Sequence, residues 1–309
     1  MDNTDLKEPD SLDWDNMWNS RRKALREARL VDCGSLWSNK QDARRYHNIT
    51  TGKQEERVKL ILQDIPVFDN CRVLDIGSGP GTLTIPLAAM AEYVTAVEPA
   101  SGMRGVLREL AREKGVENIR EVSKRWEDTL PEDLEPPYDV VVSSFALGME
   151  DLRESLIKMS AVCRGSVHLF WFVGETSWQA MKRRVWPELH GKVIPAPHKT
   201  DIIYNILFQL GHPVEVKRYS YTFYQDYSSV EELLEQNRKS FALNTPELEQ
   251  RFLEIVLPTL QSDGASFRSE GYAQFAGYTW PGTWSGTRPG TSPPAPGQAP
   301  GQAPSPVHK

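Results

Sequence analysis

The sequence contains few cysteines and no long apolar run, and both features restrict the class of protein. The only cysteines are Cys33, Cys71 and Cys163, and their spacing fits neither a metal site nor a disulfide framework. No stretch approaches the roughly 18 apolar residues of a membrane-spanning helix, and the acidic first ten residues do not resemble a signal peptide. We therefore expect a cytoplasmic protein with reduced cysteines, without a bound metal and without a membrane partner.

An excess of positive charge is also missing. The formal net charge is −6, which disfavours a nucleic-acid partner because such partners attract basic surfaces. One basic cluster, between Arg21 and Arg29, lies within a predicted helical segment of good helix formers. We interpret this cluster as a solvated helix face, and an anionic substrate or partner is the alternative.

A glycine-rich loop is the most informative stretch that the sequence does contain. It follows an apolar strand predicted over 71–76 and precedes a helix predicted to begin near Thr82. Gly77, Gly79 and Gly81 allow a tight turn and a close approach of the backbone to a ligand. The unpaired N–H groups at the start of the next helix face whatever binds above the turn. This pattern predicts a nucleoside-type cofactor at the carboxyl end of a parallel strand.

The spacing of the loop narrows the choice of cofactor. A dinucleotide fingerprint requires glycine at position 82, where this chain has Thr82. Asp75 precedes the first glycine by two positions, and Glu98 closes the next apolar run, where a carboxylate can accept both hydroxyls of a ribose. The D-x-G-x-G-x-G loop followed by Glu98 resembles motifs I and II of the class I S-adenosylmethionine-dependent methyltransferases. An ordinary strand–turn–helix and a nicotinamide dehydrogenase are the alternatives.

The resemblance implies S-adenosylmethionine as the methyl donor, S-adenosylhomocysteine as the product, and a set of donor contacts. In this superfamily an acid after the third strand meets the adenine amino group, and Glu127 or Asp128 fits that role, with Glu127 favoured. Trp126 would lie along the adenine ring and Met103 would touch the adenosine, with core packing as the alternative for both. The complete set of cofactor-binding candidates is Tyr46, Asp75, Gly77, Ser78, Gly79, Gly81, Glu98, Pro99, Met103, Trp126, Glu127, Asp128 and Ser143.

A second resemblance concerns the segment before the loop. Trp37, Ala43 and Tyr46 form an aromatic-x5-Ala-x2-Tyr pattern. This pattern resembles the N-terminal helix of small-molecule methyltransferases of the ubiquinone/menaquinone and cyclopropane-synthase kind, which lies across the cofactor as a lid. Tyr46 is the favoured lid residue, with a core tyrosine as the alternative.

The sequence leaves the catalytic residue open among three candidates, which are Tyr46, Ser144 and His168. Tyr46 belongs to the predicted lid, and Ser144 follows the fourth predicted strand, where an acceptor would approach the methyl group. His168 lies inside an apolar strand, so a core histidine with satisfied hydrogen bonds is its alternative role.

The resemblance also implies an α/β fold, with a Rossmann-like sheet of seven mostly parallel strands and helices on both faces. We divide the chain into an N-terminal helical lid (1–50), a methyltransferase domain (51–280) with a helical insertion (about 176–262), and a Pro/Gly-rich tail (281–309). Ser101 is expected to cap the helix after Glu98, and Pro187 is expected to interrupt the chain within the insertion. The tail is expected to be disordered because it has almost no apolar residues to bury.

The acceptor is predicted from the loop, Glu98 and the predicted lid, together with the absence of one signature. Enzymes of this fold that methylate amino groups of nucleic acids carry an Asn/Asp-Pro-Pro-Tyr signature after the fourth strand, and this chain has Ser143-Ser144-Phe145 there. We therefore predict a methyltransferase that moves a methyl group in line to a small molecule, largely by proximity. A protein or RNA acceptor and a non-catalytic binding module are the alternatives. The sequence leaves the oligomeric state open.

Overall fold

A computed structural model describes residues 12–28, 39–53, 55–194, 201–264 and 266–286. The predictions for Arg29, Cys33, Trp37 and the part of the tail after residue 286 lie outside the described residues. The described part is organised around one sheet, and its strands are β1 (Arg72–Ile76), β2 (Tyr93–Val97), β3 (Ile119–Val122), β4 (Tyr138–Ser144), β5 (Cys163–Phe172), β6 (Glu215–Tyr227), β7 (Gln261–Ser262) and β8 (Phe267–Pro281).

The strand order confirms the predicted fold class and corrects its strand count. The sheet has the order β3-β2-β1-β4-β5-β8-β6, with β7 paired to β8. Strands β1 to β5 are parallel, whereas β8 runs antiparallel to both β5 and β6. The sheet therefore has eight strands instead of the predicted seven. The additional strand, β7, is only two residues long and is too short to show a period in the sequence.

Helices cover both faces of this sheet. They are α1 (Trp14–Ala28), α2 (Lys40–Asn48), α3 (Glu55–Asp64), α4 (Thr84–Ala88), α5 (Ser101–Glu113), α6 (Leu152–Ala161), α7 (Ser177–His190), α8 (Asp201–Gln209), α9 (Val230–Arg238) and α10 (Pro246–Val256). Leu74 and Ile76 of β1 pack in the cluster that includes residues of α1, α6 and α8. Val73 packs in the cluster that includes residues of α3 and α4. This alternation places Asp75 on the same face as Val73 and α4.

Several local predictions are confirmed and others are wrong. Strand β3 has the predicted bounds, and Thr176 and Gln179 form the predicted capping box. Ser101 is not the cap of α5, because Ala100 occupies that position and its N–H donates to the Glu98 carboxylate. Pro187 does not interrupt the chain but lies inside α7, where the flanking residues are packed in a hydrophobic core.

The predicted insertion contributes a hydrophobic core of its own beside the end of β6. Helices α7, α9 and α10 bury apolar side chains against one another and against Tyr227, the last residue of β6. The buried members of this cluster include Val185, Trp186, Leu233, Leu234, Phe241, Phe252 and Val256. This helical layer stands at the carboxyl end of β6, beyond what is needed to cover the sheet.

Helix α1 is attached to the loop that follows β4. The Trp18 indole N–H donates to Met149 O at 3.1 Å, and Arg22 Nη1 donates to Leu147 O at 3.2 Å. Arg26 Nη1 lies 2.7 Å from Glu150 Oε1. Part of the basic cluster thus holds this loop in place. No helix in the described ranges is long and apolar enough to cross a membrane.

Candidate active site

The glycine loop leads from β1 to α4 and is hydrogen bonded to the end of β2. Its first N–H groups, those of Gly77 and Ser78, donate to Val97 O at 2.8 and 3.2 Å. All three glycines have positive φ, of 72° at Gly77, 56° at Gly79 and 87° at Gly81. A Cβ at Gly77 would lie 2.2 Å from the Ala146 Cβ, whereas a Cβ at Gly79 would meet nothing within 4 Å. The loop is therefore packed on one side and open at its middle glycine.

Glu98 braces this loop from the end of β2. One carboxylate oxygen accepts the Gly79 N–H at 3.0 Å and the other accepts the Ala100 N–H at 2.8 Å. Burial raises the pKa of Glu98, and these two backbone donors oppose the rise. A carboxylate has about four acceptor positions, so lone pairs remain for ligand hydroxyls. Glu98 therefore braces the loop and can still accept hydrogen bonds from a ligand.

Asp75 lies below the loop in a buried position. Its Oδ2 accepts the Thr84 hydroxyl at 2.6 Å, at the start of α4. Burial raises the pKa of Asp75 to about 7, with Glu98 adding to the rise and the Thr84 hydrogen bond opposing it. Helix α4 begins at Thr84 and not near Thr82, because residues 80–83 continue the turn.

The buried Asp75 predicts a pH dependence of stability. Because its folded pKa of about 7 lies above the ordinary aspartate pKa of 3.8, protonated Asp75 stabilises the fold below about pH 4. This contribution is lost as the pH rises through 7. The Asp75→Asn variant cannot ionise, so its free energy of unfolding relative to the wild type should rise by about 1–4 kcal/mol between acidic and mildly alkaline pH. Urea unfolding at a series of pH values measures this difference.

The difference between the two proteins is the informative quantity in that experiment. Burial lowers the pKa of His168 to about 4 from 6.5, so the contribution of His168 is lost as the pH falls and opposes that of Asp75. The same histidine is present in both proteins, and its effect cancels. A stability difference that does not change with pH would show that Asp75 has the same pKa in the folded and unfolded states.

A cavity of about 40 Å³ lies against the glycine loop. The side chains and backbone around it include the following candidates from the sequence: Tyr46, Asp75, Gly77, Ser78, Gly79 and Ser144. Ser78 and Ser143 are both buried, and among the described residues their hydroxyls have no hydrogen-bond partner. The π-helical turn after α2, Ile49–Lys53, reaches the loop through Thr50, whose hydroxyl lies 3.3 Å from that of Thr82. The structure thus brings the end of the predicted lid and the glycine loop together.

The acids and the tryptophan after β3 do not line this cavity. Trp126 is 3% exposed and packed in the main core, where its indole N–H donates to Ser155 O at 3.2 Å. Glu127 accepts the Glu150 N–H at 2.8 Å, and Asp128 pairs with Arg125. The role beside adenine predicted for Trp126 is therefore replaced by core packing. Both acids are instead engaged in local contacts.

The remaining cofactor candidates surround the loop without lining the cavity. Met103 packs in the cluster between α2 and α5, together with Ala43. Pro99 is exposed, and its carbonyl accepts Arg104 Nη1 at 2.6 Å. Gly81 is packed against Leu107, where an added Cβ would lie 2.4 Å from Cδ1. These residues shape the loop and its support.

His168 is a core residue and does not reach the cavity. Its ring lies 2.8 Å from the Ser166 hydroxyl and 3.2 Å from the Thr279 hydroxyl, so both nitrogens have partners. It pairs in register with Val142, two positions before the end of β4 at Ser144. Together with its low pKa, this position removes His168 from the candidates for a general base.

Sequence reasoning missed Arg57 and Phe145, which both line the cavity. Arg57 belongs to α3 and is 5% exposed. The sequence around it is charged and is typical of the solvent-exposed start of a helix. Phe145 follows β4 with a φ of 55°. The hydroxyl of Tyr221 in β6, also missed, accepts a hydrogen bond from Arg57. No spacing in the sequence connects these residues, because the fold alone brings β4, β6 and α3 together.

The sheet order, the glycine loop and the bracing acid define a Rossmann-like fold with a nucleoside-type site. Residues 73–165 match the family model described as a methyltransferase domain. This part of the chain is therefore a methyltransferase domain, in agreement with the class that its glycine loop and Glu98 resemble. In the described ranges, no group of three or more His, Cys, Asp and Glu side chains could hold a metal ion.

Known proteins resemble the chain over limited stretches. An uncharacterised protein of Haemophilus influenzae is 32% identical over 118 residues, which cover 38% of this chain and 43% of that protein. The ribosomal RNA small subunit methyltransferase G of Yersinia pestis is 31% identical over 113 residues, covering 34% of this chain and 53% of that protein. The chain thus spans about half, or less, of the length of these curated relatives.

A solved structure extends the likeness in fold. Phosphoethanolamine N-methyltransferase 2 of Haemonchus contortus, in complex with S-adenosyl-L-methionine, superposes with a TM-score of 0.50. The superposition covers 82% of this chain and 60% of that one at 15% sequence identity. At this identity the likeness concerns the fold alone.

Proposed function

We propose that the protein is a methyltransferase that uses S-adenosylmethionine and acts on a small-molecule acceptor. The observation that carries the proposal is the contact between Glu98 Oε2 and the Gly79 N–H, at 3.0 Å. It couples the acid of the second strand to the open glycine of the loop. A nicotinamide dinucleotide would instead require the third glycine that Thr82 replaces.

The residues at the loop fit the donor chemically. Glu98 would accept the ribose hydroxyls, and the open face of Gly79 allows a close approach to the backbone. The buried hydroxyls of Ser78 and Ser143 offer hydrogen bonds that no described residue uses. When bound, S-adenosylmethionine supplies an activated methyl group on its sulfonium.

The small cavity requires a movement when the donor binds. Pockets for ligands of this size have volumes of roughly 300–1,000 Å³, against the present value of about 40 Å³. The Thr50–Thr82 contact joins the π-helical turn Ile49–Lys53 to the loop, so we expect this turn and the preceding helix α2 to shift outward. This movement gives Tyr46 the role of a lid residue.

The chain contributes position and exclusion of water in the proposed reaction. Ser144 and Phe145 stand at the end of β4 and line the cavity, where an acceptor would approach. Holding the acceptor in line with the methyl group converts a bimolecular step into an effectively unimolecular one. A base is needed only if the acceptor must lose a proton before attack, and Tyr46 and Ser144 are the remaining candidates.

An RNA acceptor is the second candidate, because relatives named as ribosomal RNA methyltransferases match this domain. Against it, the net charge of the chain is −6, and Arg22 and Arg26 are used in contacts with the loop after β4. Affinity for RNA depends chiefly on basic contacts to phosphates. The charge distribution therefore supports a small acceptor.

Transfer of a labelled methyl group into cell extract tests this function. Labelled S-adenosylmethionine is incubated with the protein and an extract, and the products are separated by size into metabolite, RNA and protein fractions. We expect label in the metabolite fraction, and much less label at a limiting donor concentration with Glu98→Ala as the matched control. Label confined to RNA or protein would contradict the small acceptor, and no enzyme-dependent label in any fraction would support a binding module.

A further inference from the structure

A buried arginine without an acidic partner lies at the cavity. Arg57 is 5% exposed, and its Nε has no hydrogen-bond partner in the described ranges. Within those ranges no carboxylate is close enough to pair with it as a salt bridge. Burial of an unpaired charge costs several kcal/mol, so a protein that keeps such a group generally has a use for it.

The surroundings hold this guanidinium in place without neutralising it. Its Cζ lies 4.7 Å from the centre of the Phe145 ring, as expected of a cation–π contact. Tyr221 hydrogen bonds to it from β6. Both contacts come from neutral side chains, so the positive charge remains available to a ligand.

An aromatic wall continues from Phe145. The Phe145 ring lies 4.3 Å from that of Phe172, and Phe172 lies 5.2 Å from Trp178 at the start of α7. Phe172 and Trp178 are only partly buried. The charge of Arg57 thus stands at one end of an apolar surface that begins where an acceptor would approach.

We propose that Arg57 binds an anionic group, a carboxylate or a phosphate, of the methyl acceptor, whose apolar or aromatic body lies along Phe145, Phe172 and Trp178. This inference rests on the proposed function and specifies its substrate class. The methionine carboxylate of the donor is the other source of such an anion. Arg57 contacts Tyr221 of β6 and Phe145 after β4, on the side where an acceptor would approach. The arginine that interacts with Glu98, the proposed ribose acid, is Arg104. These contacts favour the acceptor as the ligand of Arg57.

Simple aromatic probes test the recognition of an anion. Benzoate, inorganic phosphate and benzylamine are titrated into the wild type and Arg57→Gln, with and without S-adenosylhomocysteine, and calorimetry measures the binding. We expect saturable binding of benzoate that is about tenfold or more weaker in Arg57→Gln, with partial recovery in Arg57→Lys and no binding of benzylamine. Equal binding of benzoate by the wild type and Arg57→Gln, or equal binding of benzylamine and benzoate by the wild type, would overturn the proposal.

Two nucleosides distinguish the acceptor from the donor. S-adenosylhomocysteine carries the amino-acid carboxylate, and 5′-methylthioadenosine lacks it. We expect Arg57→Gln to bind both as tightly as the wild type does. A loss of affinity for S-adenosylhomocysteine alone would assign Arg57 to the donor and overturn the proposal.

The same titrations separate this inference from the proposed function. If the wild type does not bind S-adenosylhomocysteine, the proposed function fails, and the benzoate titration without nucleoside still reports on Arg57. Arg57→Met is the folding control, because an apolar side chain of similar length is generally tolerated where a charge was buried. It should unfold no more easily than the wild type and should bind benzoate as weakly as Arg57→Gln.

Discussion

Replacing Gly77 by alanine should destabilise the protein by about 2–5 kcal/mol and abolish detectable donor binding. Two costs add in this variant. The positive φ of 72° disfavours any residue with a Cβ, by about 1–2 kcal/mol. The new Cβ would also lie 2.2 Å from the Ala146 Cβ, and relief of such crowding costs about 1–3 kcal/mol. Urea unfolding and titration with S-adenosylhomocysteine measure the two effects.

Gly115→Ala is the matched control for backbone strain. Gly115 has a similar φ of 65° after α5, but a Cβ there would meet nothing within 4 Å. This variant should lose about 1–2 kcal/mol of stability and keep the donor affinity of the wild type. If Gly77→Ala behaves like Gly115→Ala in both measurements, the close packing of the loop against Ala146 is incorrect.

Replacing Glu98 by alanine should lower the affinity for S-adenosylhomocysteine by about 1–3 kcal/mol, or roughly 5–150-fold. The variant removes the acceptor for the ribose hydroxyls. It also removes the acceptor for the Gly79 and Ala100 N–H groups, so the loop loses its brace. Glu98→Gln retains an amide oxygen and should bind with intermediate affinity. Calorimetric titration of each variant gives the dissociation constants.

Asp226→Asn controls for the loss of one negative charge. Asp226 pairs with Arg268 across β6 and β8, at 2.6 Å, and both side chains are about half exposed. Because such exposed pairs contribute little, this variant should match the wild type in stability and in donor affinity. An unchanged affinity in Glu98→Ala would contradict the role of Glu98 as the ribose acid.

The fold was largely predictable because its signals are local. An apolar run followed by glycines indicates β1 and its loop. The capping box formed by Thr176 and Gln179 spans only four residues and indicates the start of α7. The errors arose where tertiary contacts override local signals. Ala100 displaces Ser101 as the cap of α5 because its N–H bonds to Glu98, and Pro187 stays helical because the residues before it are packed in a core.

The candidate site was predictable only in the part that is continuous in sequence. Asp75, Gly77 and Gly79 lie within one turn, and they line the cavity together. Trp126 could not be assigned, because the same residue type serves for adenine contact and for core packing, and the core residues around it come from distant elements. Arg57 and Tyr221 meet only through the fold. The acceptor side of the site is composed of such distant pairs.

Isothermal titration calorimetry with S-adenosylmethionine, S-adenosylhomocysteine and NAD tests the central claim most directly. The loop, which has Thr82 where a dinucleotide fingerprint has its last glycine and is braced by Glu98, predicts a nucleoside site for the methyl donor. We therefore expect saturable binding of both sulfur-containing nucleosides, one per chain, and no heat of binding with NAD. Saturable binding of NAD, with no response to either of the other two ligands, would contradict the account.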